Sequence, residues 1–205
     1  MTIKNFGSRV ASIWEGLRPE TRKMLVGALG SKDKPFTFPT RKFYYDAHSD
    51  LELSRLLSAL DEQSAATNTL LESTKKREIE QLADACAALL EAQTGSAEVF
   101  IQLAERYLER NDFKGLDSLS DKLAERFLPI EIAEIIRQTD SAPIRAIAFE
   151  TLALMPISRL ASILEDSAYY EIAVNALEQQ AFEFGSEEAR EILMEAGILD
   201  DLRID

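Results

Sequence analysis

The chain has 205 residues, a formal net charge of −13, 46% hydrophobic and 29% charged residues. That length supports one domain, or one domain with an appendage, and buries enough apolar surface to need no disulfide or metal for stability. No apolar run reaches the length of a membrane span, and the single cysteine, Cys86, excludes an internal disulfide.

The charge is uneven. Residues 1–45 hold nine Lys or Arg against three Asp or Glu, whereas the remainder holds fourteen against thirty-three. A basic arm thus precedes an acidic body, and the two attract different partners. The opening residues carry charge at intervals and lack an apolar signal core, which with the scarce cysteine predicts a cytoplasmic protein.

Three regions are predicted: basic helices and an aromatic strap over 1–47, connecting helices over 48–95, and a helical body over 96–205. Ile3, Phe6, Val10, Ile13, Trp14 and Leu17 share one face of a helix over 3–17. Pro19 opens a second helix, which carries Met24, Leu25, Val26 and Leu29 and closes at Gly30. Pro35 and Pro39 forbid a helix through 31–47 and predict a strand or extended segment.

Ser49 and Glu52 have the spacing of a capping box, so the next helix is expected to start at Ser49. Leu53, Leu56, Leu57 and Leu60 continue it, and Ile79, Leu82, Cys86, Leu89 and Leu90 form a later apolar stripe. The polar stretch 61–75 between them predicts either a break or one long, partly exposed helix. Short helices then follow at about 97–110, 113–127, 130–138, 143–154, 157–165, 168–183 and 187–196. Their short connections predict hairpins.

The fold class predicted is all-α: a stack of helical hairpins with an N-terminal helical appendage and an extended aromatic strap. The tripeptide "DSA" at 140 recurs 26 residues later, and "IAF" at 147–149 is echoed by "IAV" at 172–174. Ile144, Arg145, Ala148 and Leu152, followed by Leu160, Ile163, Leu164 and Asp166, resemble a HEAT-type repeat across 140–196. Glu171 stands where that family often has arginine. Residues 100–129 resemble a tetratricopeptide hairpin, with Tyr107, the "ND" at 111–112 and Phe113 at the family's tyrosine, turn and aromatic positions. Both resemblances imply stacked hairpins whose grooves bind polypeptides; neither identifies a partner.

No catalytic, cofactor or metal site is predicted. His48 is the only histidine and sits beside a helix start, with no second histidine or cysteine to complete a zinc site. Cys86 lies on an apolar stripe and reads as a core residue. The Ser31–Lys34 and Ser73–Lys76 spacings lack the other motifs of a serine–lysine catalyst. "GALGSK" at 27–32 lacks a Walker loop's glycine spacing and reads as a helix end.

The strap carries the candidate partner-binding residues Phe36, Phe38, Arg41, Lys42, Phe43, Tyr44 and Tyr45. Three readings stand. The aromatics pack inward and cap the stack; they anchor a protein partner; or, with the basic residues, they stack on single-stranded nucleic acid. The expected function is a non-catalytic adaptor, scaffold or accessory subunit whose partner is a protein with a basic surface. Nucleic acid is the alternative partner, and no membrane association is expected.

Overall fold

The computed structural model describes residues 3–30, 45–67 and 73–198, and every regular element among them is helical. The chain forms two units, residues 1–94 and 95–205.

In the first unit the predicted opening helix is split. A 3₁₀ turn, Ile3–Phe6, precedes α1, Ser8–Gly16. Gly7 between them has φ 112°, and a Cβ there would meet the Gln63 side chain. Only glycine adopts that backbone cheaply, so the helix cannot run through it. Phe6, Val10 and Leu17 are buried, whereas Ile13 and Trp14 are half-exposed. Helix α2, Pro19–Leu29, has proline in its first turn and Gly30 at its C-cap, as the sequence predicts. Met24 and Leu25 are buried, but Val26 is exposed because it has rotated past the packed face.

Two further helices follow, α3 (Ala47–Ala66) and α4 (Ser73–Gln93). Thr67 leaves helical geometry, so α3 ends there and the reading of one long helix is set aside. Leu53, Leu56, Leu57 and Leu60 of α3 and Ile79, Leu82, Cys86, Leu89 and Leu90 of α4 are wholly buried. Helix α4 packs on α3 and α2, and α1 packs on α3. Each such side chain contributes about 1.5–3 kcal/mol by leaving water. The Cys86 thiol donates to the Leu53 carbonyl, 3.1 Å away, inside this core.

The cap of α3 differs from the expectation. The N-cap is Asp46, whose side chain accepts from the Ser49 backbone N–H at 2.8 Å; Ser49 sits at the third helical position. Both residue types cap helices, and Asp46 wins because an arginine also holds its carboxylate in place.

The second unit contains seven helices among its described residues. They are α5 (Ala97–Glu109), α6 (Phe113–Arg126), α7 (Pro129–Gln138), α8 (Ala142–Ala153), α9 (Ile157–Leu164), α10 (Tyr170–Phe182) and α11 (Glu187–Glu195). Consecutive helices are joined by two to five residues. Sequence neighbours α5–α6, α7–α8, α9–α10 and α10–α11 pack together, and so do α5–α7, α6–α8, α7–α9 and α8–α10.

Local chemistry explains the turns. Asn111 adopts φ 55°, a left-handed conformation that asparagine tolerates, and Asp112 caps α6 by accepting from the Gly115 N–H. Glycine is required at 115 by close approach: a Cβ would overlap the Tyr107 ring. Phe100 and Phe127 meet edge to face, 5.7 Å between centroids.

One buried polar side chain fastens the later helices. Gln180 of α10 donates through Nε2 to the carbonyls of Ala153 and Met155, each at 2.7 Å. These carbonyls lie at the C-terminal end of α8, where no helical N–H remains to satisfy them. Gln180→Met keeps the volume but removes both bonds. It is expected to lower unfolding stability by about 1–3 kcal/mol, read as a lower urea midpoint at unchanged slope. A midpoint equal to the parent's would contradict the role assigned to Gln180.

Candidate interaction site

Of the seven predicted partner-binding residues, Phe36, Phe38, Arg41, Lys42, Phe43 and Tyr44 lie outside the described residues. Tyr45 is described. It is half-buried, and its hydroxyl donates to Asp50 Oδ1 at 2.6 Å. Burial pushes the Tyr45 phenol well above its ordinary range, and the bond to Asp50 adds to that. Burial likewise raises the Asp50 carboxyl, although Tyr45 and Thr94 donate to it. Tyr45 is therefore committed to its own unit as a hydrogen-bonded anchor.

Beside it lies a charged clasp that sequence reading did not foresee. Arg18, the residue before α2, grips Asp46 through two parallel bonds of 2.9 and 2.7 Å. Its backbone N–H donates to Glu52 Oε1 at 2.9 Å, and its Nε to Glu52 Oε2 at 3.2 Å. The same guanidinium reaches Ser49 Oγ at 3.0 Å, and buried Thr21 donates to Glu52. Planar, two-pronged recognition of a carboxylate is what arginine does and lysine does not.

The clasp has an electrostatic signature. The Arg18 guanidinium and the Ser49 amide hold the Asp46 carboxyl well below the usual carboxylate range. For Glu52 burial pushes upward, but the bonds from Thr21 and Arg18 outweigh it and the carboxyl stays low. Carboxylates held ionised and engaged in this way are suited to fixing structure. Sequence signals existed for Asp46 and Ser49 as capping residues; nothing local pairs them with Arg18, 28 residues earlier.

In the second unit an analogous cluster ties α7 to the start of α10. Glu134 accepts from Arg137 at 2.7 and 2.8 Å and from the Tyr169 hydroxyl at 2.7 Å. Arg137 and Tyr169 pull the Glu134 carboxyl down to about 2 against a smaller opposing effect of burial. The i,i+3 pair of Glu134 and Arg137 is legible in sequence; the contribution of Tyr169 is not.

Two surface grooves flank α10. One, of about 500 Å³, is lined by Phe149, Asn175, Glu178, Gln179, Phe182 and Glu183. The other, of about 450 Å³, lies over the α8–α9 turn, with Leu154 and Phe184 exposed on its walls and Gln180 beneath.

Each remaining candidate has a definite place. His48 is exposed in the first turn of α3, and Cys86 is enclosed. Among the described residues no group of three or more His, Cys, Asp or Glu is placed to hold a metal ion. No single described helix is long and apolar enough to cross a membrane. Compared with known proteins, the chain matches no family model, no curated protein and no solved structure.

The clasp predicts a pH signature. Asp46 and Glu52 have lowered folded-state pKa values, so their contribution is fully present above the unfolded carboxylate range and is lost progressively as pH falls from there through the lower folded-state values. Arg18→Met should lower the urea midpoint at pH 7, and the gap from the parent should narrow as pH drops below about 4. The effect of Asp50 has the opposite sign but does not involve Arg18, so it cancels in the comparison. A gap independent of pH would contradict the clasp.

Proposed function

We propose that this chain is a non-catalytic protein-interaction module, an adaptor, scaffold or accessory subunit acting in the cytoplasm. The observation that carries the reading is the packing order of the second unit, in which α5–α6, α7–α8, α9–α10 and α10–α11 pack as sequence neighbours and α5–α7, α6–α8, α7–α9 and α8–α10 pack as alternate helices. That order is what stacked hairpins of the HEAT or tetratricopeptide kind produce, and such stacks bind polypeptides along their grooves. Exposed Leu128, Leu154, Phe182, Phe184 and Met194 supply apolar anchors on this unit.

Charge selects the partner. Residues 140–198 contain three arginines against eleven carboxylates. An acidic surface speeds encounter with a basic one and disfavours acidic competitors. The basic aromatic segment containing Phe36, Phe38, Arg41, Lys42, Phe43 and Tyr44 is a second contact region on the same reading.

The test uses the full chain as bait, beside a variant with Arg41, Lys42, Phe43 and Tyr44 all changed to alanine. The expected result is retention of proteins with basic surfaces at low salt, resistant to nuclease and falling as ionic strength rises. Retention lost in the variant would place the contact on the arm. Retention insensitive to salt, or of nucleic acid alone, would overturn the reading.

A further inference from the structure

We propose that the groove between α8 and α10 seats a cationic side chain of a basic, partly apolar partner segment. The inference rests on the protein-binding reading and gives it an address.

The groove has aromatic walls and an anionic rim. Phe149 of α8 is half-buried and Phe182 of α10 is 57% exposed, and no contact joins their rings across the gap. Phe182 ends α10, so part of its ring meets water although its residue type favours burial. Glu178 of α10 and Glu183 at its C-cap line the groove, and no lysine or arginine does. Glu178 has no ion-pair partner among the described residues, and Glu183 receives only the Gln179 amide, at 3.0 Å.

These features select one kind of occupant. An apolar segment alone would satisfy Phe149 and Phe182 but would bring no charge to Glu178 and Glu183. A bare cation would meet the carboxylates but leave the rings wet. Arginine and lysine do both: the alkyl stem lies on aromatic surface, and the charged head meets ring faces and carboxylates. Asn175 and Gln179 add amide groups that can bond to the backbone or head group of the segment. A groove of about 500 Å³ accommodates one long side chain with its flanking residues.

The probe is a fluorescein-labelled helical peptide carrying arginine and leucine at helical spacing, titrated with the full-length protein by anisotropy at low salt. A peptide with glutamate in place of arginine is the comparison. Phe182→Ser should weaken binding about tenfold, whereas Phe113→Ser, an equally exposed phenylalanine on α6, should leave it unchanged. The pair Glu178→Gln and Glu183→Gln should weaken it several-fold more than the charge-matched pair Asp117→Asn and Asp121→Asn. All these positions are exposed or half-buried, and circular dichroism checks that each variant keeps its helices.

Equal losses from the groove and control variants would overturn the groove assignment while leaving a diffuse acidic attraction. No binding of the arginine peptide, or equal binding of the glutamate peptide, would also overturn it. The broader protein-binding reading is decided separately by the salt-released retention of basic proteins.

Discussion

Short connections between apolar-faced helices are the constraint on which the second unit depends. With two to five residues between helices, the pairs α5–α6, α7–α8, α9–α10 and α10–α11 fold back on one another. Alternate helices α5–α7, α6–α8, α7–α9 and α8–α10 also pack together and cover further apolar surface. Ile132, Ile135, Ile144, Leu152, Leu160 and Leu177 are wholly or almost wholly buried for this reason. Removing one such side chain typically costs about 2–5 kcal/mol, more than any surface ion pair contributes. Polar contacts here choose the arrangement more than they supply its stability.

The polar fasteners share a logic. Gln180, the Glu134–Tyr169 bond and the Arg18 clasp each join segments at least 25 residues apart. Each lies at a helix end, where backbone groups lack helical partners. Apolar faces tolerate sliding; a carbonyl awaiting one amide does not. Such bonds therefore fix the register in which neighbouring helices meet. In the second unit that register also sets the gap between Phe149 and Phe182 that forms the groove.

Helix positions were largely legible in the sequence because local rules decide them. Pro129, Pro143 and Pro156 mark starts, and the apolar spacing marks the faces; the ends move by only one or two residues. The misreadings are equally physical. Gly7 broke the first helix because its backbone takes φ 112°, which the apolar spacing over 3–17 does not reveal. Ser49 seemed the cap until Arg18, remote in sequence, favoured Asp46. Cys86 read correctly as core because its whole stripe is apolar. The site was less legible: aromatic and basic composition drew attention to 31–47, where only Tyr45 to Ala47 are described. The α10 groove gave no motif, since Phe149 and Phe182 are 33 residues apart and only folding opposes them.

The account stands or falls on the packing of alternate helices in the second unit, α5–α7, α6–α8, α7–α9 and α8–α10. Methyl-resolved nuclear Overhauser spectra of the full chain, with Ile, Leu and Val methyls labelled, measure this directly. The account predicts cross-peaks from α5 to α7, from α7 to α9 and from α6 to α8, beside those between adjacent helices. Cross-peaks confined to adjacent helices, with none between alternate ones, would contradict it.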